Sequence, residues 1–298
     1  MMRRNHLQII LAALIISAAA CKPVAKTGTE DWQSLFNGKD LSGWDIKILK
    51  RPLNENYNNT FIVEDSVLRI KYDGYQKFDD HFGHLYYQTP FSYYKLQLQY
   101  RFVGKHMADA PGYADCNSGI MLHSQSAKSL ELNQTFPVSL EMQFLCSNGK
   151  DAPTTGNLCT PGTQVRMSDA IRPEHCINAA SKTYNKDVWV NAAVEVYGDS
   201  LIRHIIEGDT VLVYTKPTIG GGFVGGNYNW SMAHITDSLP WINKAGSRLT
   251  EGYIALQAES QPIDFKNLKL LDLVGCMDTK ASNYKSYFIK ADNSKCRY

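Results

Sequence analysis

The chain has 298 residues, 44% of them apolar and 20% charged, with a formal net charge of +2 at neutral pH. That length suits one large β domain or two small ones, and the apolar content is ordinary for a globular core. No basic run stands out, and binding a polyanion needs a positive footprint, so a nucleic-acid partner is disfavoured.

Residues 1–20 read as an export leader. Arg3 and Arg4 form its charged end, Leu7 to Ile16 its apolar stretch, and Ala18-Ala19-Ala20 precede Cys21. The apolar stretch is short for a membrane span. The Ala-Ala-Ala-Cys ending resembles the bacterial lipoprotein signal, which implies lipidation of Cys21 and a membrane partner through the acyl anchor. Lys22 is not the aspartate-type cue for inner-membrane retention, so the outer membrane is the expected location. Residues 21–31 are small and polar, a tether between lipid and fold.

From about residue 32 to 274 the pattern is that of strands. Ser34-Leu35-Phe36-Asn37-Gly38-Lys39-Asp40-Leu41-Ser42-Gly43-Trp44 opens the domain: Leu35 and Phe36 can bury, Asn37-Gly38 makes a turn, and Trp44 is a large apolar anchor. Asp79-Asp80-His81-Phe82-Gly83-His84 gathers two acids and two histidines. Its His-x-x-His spacing suits a helix, and none is evident, so a polar loop leading into Leu85-Tyr86-Tyr87 is expected rather than a metal site. Tyr94, Leu96, Leu98, Tyr100 and Phe102 alternate with Lys95, Gln97, Gln99 and Arg101, which predicts a half-buried strand. Residues 138–144 and 188–196 alternate likewise. Residues 201–206 and 210–214 flank Glu207-Gly208-Asp209, a hairpin signal. Gly220, Gly222 and Gly225 spell G-x-G-x-x-G, but Asn227-Tyr228-Asn229-Trp230 follows instead of a helix, which argues against a dinucleotide loop. Tyr228 and Trp230 on that loop are candidates to stack on a sugar, with burial at the sandwich edge as the alternative. Residues 252–259 and 263–273 close the domain, and 104–116, 147–187 and 216–250 read as long loops.

Apart from Cys21, six cysteines remain, an even number in an exported chain, which suggests disulfides. Cys276 and Cys296 stand alone at the end and are expected to pair. Cys146 with Cys159 is the next pairing, leaving Cys116 with Cys176. The tail, 275–298, is a separate stapled unit, with a calcium role for Asp278 and Asp292 as the weaker reading.

Strand parity places Glu141 and Gln143 on one face, away from Val138, Leu140, Met142 and Phe144. The same parity sets Asn117, Met121 and His123 opposite Ile120 and Leu122, and puts Arg101, Gln257 and Glu259 out of phase with their apolar neighbours. If the sheet is concave, these side chains converge on a polar cleft.

Many half-buried strands and no convincing helical period predict an all-β, two-sheet sandwich. The opening string, followed in order by Asn117-Ser118-Gly119-Ile120, Ser139-Leu140-Glu141-Met142-Gln143, Gly252-Tyr253-Ile254-Ala255-Leu256-Gln257 and Asp264-Phe265-Lys266-Asn267-Leu268, resembles the 3-keto-disaccharide hydrolase family across residues 32 to 273. The resemblance implies a jelly-roll of the concanavalin A-like lectin and glucanase type, here in a Bacteroidetes-style lipoprotein with a disulfide-closed tail. It also implies an oligosaccharide or glycoside substrate oxidised at C3. Laminarinase-type relatives use Glu-x-Asp-x-x-Glu, where this chain has Glu141-x-Gln143-x-x-Cys146, so the strand supplies one carboxylate instead of the pair a retaining glycosidase needs. A C3 ketone acidifies the C2 proton and permits elimination of the C1 oxygen. In that scheme His123 is the expected base, Glu141 orients it or serves as base if burial raises its pKa, and Arg101 or a bound divalent cation steadies the enolate. Asn117, Gln143 and Gln257 hold hydroxyls. No ligand set for a metal is convincing, and a divalent cation is the one cofactor left open. The alternative function is a non-catalytic, lectin-like carbohydrate-binding surface domain.

Overall fold

A computed structural model describes residues 29–221 and 229–298; the leader, Cys21, most of the tether, Gly222, Gly225 and Tyr228 lie outside them. Among the described residues two antiparallel sheets form a sandwich of the concanavalin A-like type. One has ten strands, in the order Ala170–Arg172, Thr163–Met167, Asp209–Ile219, Leu201–Ile206, Val190–Tyr197, Tyr93–Phe102, Ile263–Asp272, Val67–Ile70 and Phe61–Glu64, with Gln33–Ser34 also on Ile263–Asp272. The other has seven: Cys176–Ile177, Asn157–Cys159, Leu140–Leu145, Asn117–Ser124, Tyr253–Ala258, Gly83–Tyr87 and Trp44–Ile48.

The alternation seen in the sequence explains the packing. Leu96, Leu98, Tyr100 and Phe102 of the larger sheet face Ile120, Leu122, Leu140, Met142, Phe144, Ile254 and Leu256 of the smaller one in a single core. The rings of Tyr100 and Phe144 stack across the gap at 4.0 Å, joining the two sheets where each contributes a bulky residue.

The opening string is a folded device. Gly38 has φ +72°, the left-handed conformation that glycine adopts without a Cβ clash. Asn37 Oδ1 accepts from the N–H groups of Lys39 and Asp40, and Asp40 Oδ1 accepts from that of Ser42. The turn therefore holds itself, and Trp44 Nε1 donates to Leu35 O at 2.9 Å, closing the string onto its own start. Leu35, Phe36 and Trp44 are all buried.

Two expectations are corrected. Residues 147–187 are not one long loop: they contain Asn157–Cys159, Thr163–Met167, Ala170–Arg172 and Cys176–Ile177, which extend both sheets. Strands of two to five residues are too short to set a readable period. The Cys146–Cys159 and Cys116–Cys176 pairings are also replaced, by Cys116–Cys146 and Cys159–Cys176. Register is the reason. Asn117 lies opposite Leu145, which brings the next pair outward, Cys116 and Cys146, together, and Cys159 and Cys176 are direct cross-strand partners. Cys276–Cys296 pairs as expected. It closes a tail in which Val274–Gly275 runs parallel to Lys290–Ala291. In that tail Asp278 accepts from the Lys280 N–H and the Tyr298 hydroxyl, while Asp292 is bonded to Ser294 and paired with Lys295, so both acids have protein partners.

Cys159–Cys176 closes a span of 17 residues that ties the outermost strand onto the smaller sheet. Replacing both cysteines by serine should lower unfolding free energy by about 3 kcal/mol in a denaturant titration, the loop-entropy value for such a span.

Candidate active site on the outer face of the smaller sheet

The outer face of the seven-stranded sheet carries side chains in two rows set by register. One row runs from Lys47 to His84 to Gln257, and on the far side of the same sheet from Gly119 to Gln143 to Asn157. The other runs Asp45, Tyr86, Ala255, Met121, Glu141, Cys159. Residues 125–137 roof this face. Ala127 and Leu130 pack on Tyr86, Met121 and Ala255. The roof is held on two sides, by Lys50 N–H to Leu132 O at 2.9 Å and by Thr135 N–H to Ala233 O at 3.0 Å. On the same face Glu141, Glu259, His84, Gln257, Asn117 and Asn157 are all buried.

Glu141 leans over Gly119, where an added Cβ would come within 2.6 Å of Oε1, so only glycine leaves room for the carboxyl. With its amide nitrogen turned toward the acids, Gln257 donates to Glu141 Oε1 at 3.3 Å and to Glu259 Oε2 at 3.0 Å. The two carboxyls are thus no farther apart than two hydrogen-bond lengths. This corrects the expectation of a single carboxylate: the Leu140–Leu145 strand supplies one, and Glu259, just beyond Tyr253–Ala258, supplies the second. Among the described residues neither acid has an ion-pair partner. Burial pushes Glu141 up to about 8, and burial together with the charge on Glu141 pushes Glu259 well above the carboxylate range. Two acids in one dry site cannot both ionise cheaply, so the pair retains a proton at neutral pH. Burial pulls His84 down to about 3, so its imidazole is neutral, and its Nε2 has no hydrogen-bond partner among the described residues.

The sequence-predicted residues divide. Glu141, Gln143, Asn117 and Gln257 all lie on this face. Asn117 Nδ2 donates to Tyr113 O at 3.1 Å and its Oδ1 is buried without a partner among the described residues, while Gln143 Oε1 accepts from Asn157 Nδ2 at 3.3 Å. His123 is not brought to Glu141. A register shift between Tyr253 and Ala255 inserts an extra residue in the 117–124 strand, and His123 takes φ 47°. Its ring is thrown across the sandwich, where Nε2 meets Gly198 O at 3.0 Å in a turn of the larger sheet. Arg101 is also elsewhere. It is on the larger sheet, bound to Asp264 Oδ2 at 2.6 Å, with its guanidinium 4.6 Å from the Trp189 ring. Trp230 is buried with Val138, Ala233 and Ile235, not displayed for stacking, and Tyr228 lies outside the described residues.

Sequence reading missed His84, Lys47, Asn157 and Tyr113 as members of this face. Parity was the available signal for two of them: His84 alternates with Leu85, and Lys47 with Ile46 and Ile48. In the Asp79–His84 motif the two histidines part, His84 into the sheet and His81 onto Tyr57, stacked at 4.6 Å with Nδ1 on Phe78 O. Tyr113 is exposed beside the acids, and burial with the charges of Glu259 and Asp80 raises its phenol to about 12. Among the described residues no group of three or more His, Cys, Asp or Glu is placed to hold a metal.

A carboxyl whose pKa is raised on folding binds its proton more tightly in the native state. Stability should therefore fall as pH rises from about 4.5, the unfolded value, through about 8, the folded value for Glu141. Glu141→Gln should flatten this slope, matching or undercutting the wild type near pH 5 and exceeding it by a few kcal/mol near pH 8.5, read from denaturant midpoints across that range.

Residues 31–271 match the 3-keto-alpha-glucoside-1,2-lyase-like domain. No curated protein matches the chain significantly. Among solved structures, a protein of Parabacteroides distasonis named a "putative glycosyl hydrolase" is 17% identical, with TM-score 0.47, and the match spans 81% of this chain and 99% of that one. A carbohydrate-binding module from Bacillus subtilis is 9% identical, with TM-score 0.41, over 77% of this chain and 96% of its own. No helix among the described residues is long and apolar enough to cross a membrane. The extent of the domain match, from just before the opening string to the end of the last long strand, means that this chain belongs to the 3-keto-α-glucoside-1,2-lyase-like domain family.

Proposed function

We propose that the chain cleaves 3-keto-glycosides by removing the C2 proton and eliminating the C1 oxygen. The observation that carries this reading is the buried Glu141–Gln257–Glu259 set, two carboxyls bridged by one amide, with a neutral histidine beside them in the row. A 3-keto sugar makes three demands: a base at C2, an electrophile at the C3 oxygen, and an acid at the leaving oxygen. Glu141 ionises first, because burial, and then the charge that Glu141 acquires, hold the proton on Glu259. Glu141 is therefore assigned as base and Glu259 as acid. Glu141 takes the C2 proton and its bonding pair delocalises onto the C3 oxygen. Collapse of that enolate restores the ketone, forms the C1–C2 double bond and expels the C1–O bond, whose oxygen takes the Glu259 proton. Water adding across the new double bond gives net hydrolysis. His84, neutral throughout, is assigned to donate to the C3 oxygen, the role first expected of Arg101. Asn117, Gln143 and Asn157 hold sugar hydroxyls. The scheme uses no covalent nucleophile, although the same carboxyl pair would satisfy the count, if not an established spacing, for a two-carboxylate glycosidase.

The test is a 3-keto-α-glucosyl disaccharide deuterated at C2. The wild type should release the second sugar with loss of deuterium to solvent, at a rate that climbs with pH as Glu141 ionises near 8. Glu141→Gln and Glu259→Gln should each lose at least 100-fold, within the range for a general acid or base, while Arg101→Ala and His123→Ala keep turnover if folded. Cleavage with deuterium retained would contradict proton abstraction, and tight retention of the intact sugar without turnover would favour a lectin-like binding domain.

We also propose that Cys21 anchors the protein to the outer membrane. Labelled palmitate should be incorporated by the wild type in a Gram-negative host and not by Cys21→Ser.

A further inference from the structure

A second recess lies between the roof and Ile219 of the larger sheet. It has a volume of about 770 Å³ and is entered between the start of the roof and the 237–253 segment. That size accommodates a short oligosaccharide. None of Glu141, Gln257 or Glu259 lines it, so it does not belong to the carboxyl site.

Its walls have the composition of a sugar pocket. Trp241 is half-buried, with one face stacked near-parallel on Trp230, ring centroids 6.0 Å apart at 22°. Packing thus fixes the indole as a flat platform. Tyr253, also half-buried, stands on the sheet side of the recess and Ser126 on the roof side. His123 lines it too. Its imidazole is buried to 3% exposure, Nε2 is engaged by Gly198, and Nδ1 has no partner among the described residues. A buried ring nitrogen without a partner at the wall of a polar recess is what a ligand hydroxyl would satisfy.

The charges select the sugar class. Arg248 is neutralised by Asp199, and Glu131 is consumed by the N–H groups of Thr236 and Asp237 at 2.9 and 3.0 Å. Lys244 lies over the Trp241 ring at 5.4 Å, and the carboxylates of Asp237 and Glu251 are exposed. No surplus positive charge remains for a uronate or sulfated glycan, and free carboxylates are good bidentate acceptors for sugar hydroxyls. We propose that this recess is a second saccharide-binding site, taking a neutral oligosaccharide against Trp241, separate from the carboxyl site. The two sites on one sheet would hold a chain while its end is cut, or retain the protein on a polymer.

The experiment titrates full-length Glu141→Gln protein, which retains the recess but not turnover, with maltotriose, laminaritriose and cellotriose separately, reading tryptophan fluorescence and heat. At least one should bind, and Trp241→Ala added to that background should weaken it tenfold or more. Asp237→Asn, a surface change that leaves the fold intact, should weaken it several-fold, and trigalacturonate should bind less well than any neutral ligand that binds. Absence of binding by all three neutral trisaccharides, or binding unchanged by both substitutions, overturns the proposal. Turnover of the 3-keto substrate by Trp241→Ala reports on the carboxyl site alone, so failure of either reading is visible separately.

Discussion

Two buried carboxyl groups with no cationic partner among the described residues are the constraint around which this protein is arranged. Glu141 and Glu259 meet through the amide of Gln257, and both are buried. An ionised carboxylate in such a place costs several kcal/mol, and the molecule meets that cost by keeping a proton on the pair. An apolar pair of similar volume would be easier to bury. The acids are present nonetheless, and Gly119 leaves room for one of them. The proposed proton removal next to a ketone would use such a base and acid in one dry site.

The sandwich supplies the rigidity. Register across six strands sets the order of the two side-chain rows, and the core beneath them, with Tyr100 stacked on Phe144, leaves the sheet no freedom to slip without turning every row inward. Cys116–Cys146 fixes the end of the Asn117–Ser124 and Leu140–Leu145 pair that carries Asn117, and Cys159–Cys176 fixes the sheet margin that carries Asn157. The roof is fastened at Leu132, Thr135 and Glu131. It packs on Tyr86, Met121 and Ala255 beside the carboxyl site, and its other side borders the recess that Trp241 lines.

Much of the fold was legible because alternation is a local signal. Tyr94–Phe102 matched its strand to within one residue, and Leu201–Ile206 matched both bounds. Parity also put Glu141, Gln143, Asn117 and Gln257 on the correct face. It failed for His123, because parity holds only while the strand is regular, and an extra residue with positive φ reverses the side chain at that point. It was silent on which sheet a strand joins, so Arg101, correctly read as facing outward, belongs to the outside of the wrong sheet. The proximity of Glu259 to Glu141 depends on Tyr253–Ala258 lying beside Asn117–Ser124, a pairing between segments more than a hundred residues apart that no local pattern encodes. Two of the three disulfides were misassigned for the same reason: strand register, not spacing along the chain, decides which of Cys116, Cys146, Cys159 and Cys176 meet, while Cys276 and Cys296 pair as expected.

The most direct measurement is a carbon-13 NMR titration of the glutamate side-chain carboxyls, with Glu141 and Glu259 assigned by Gln substitution. The account predicts that Glu141 titrates near 8 and that Glu259 stays protonated beyond it. Both carboxyls titrating between about 4 and 5, the ordinary range for glutamate, would contradict it.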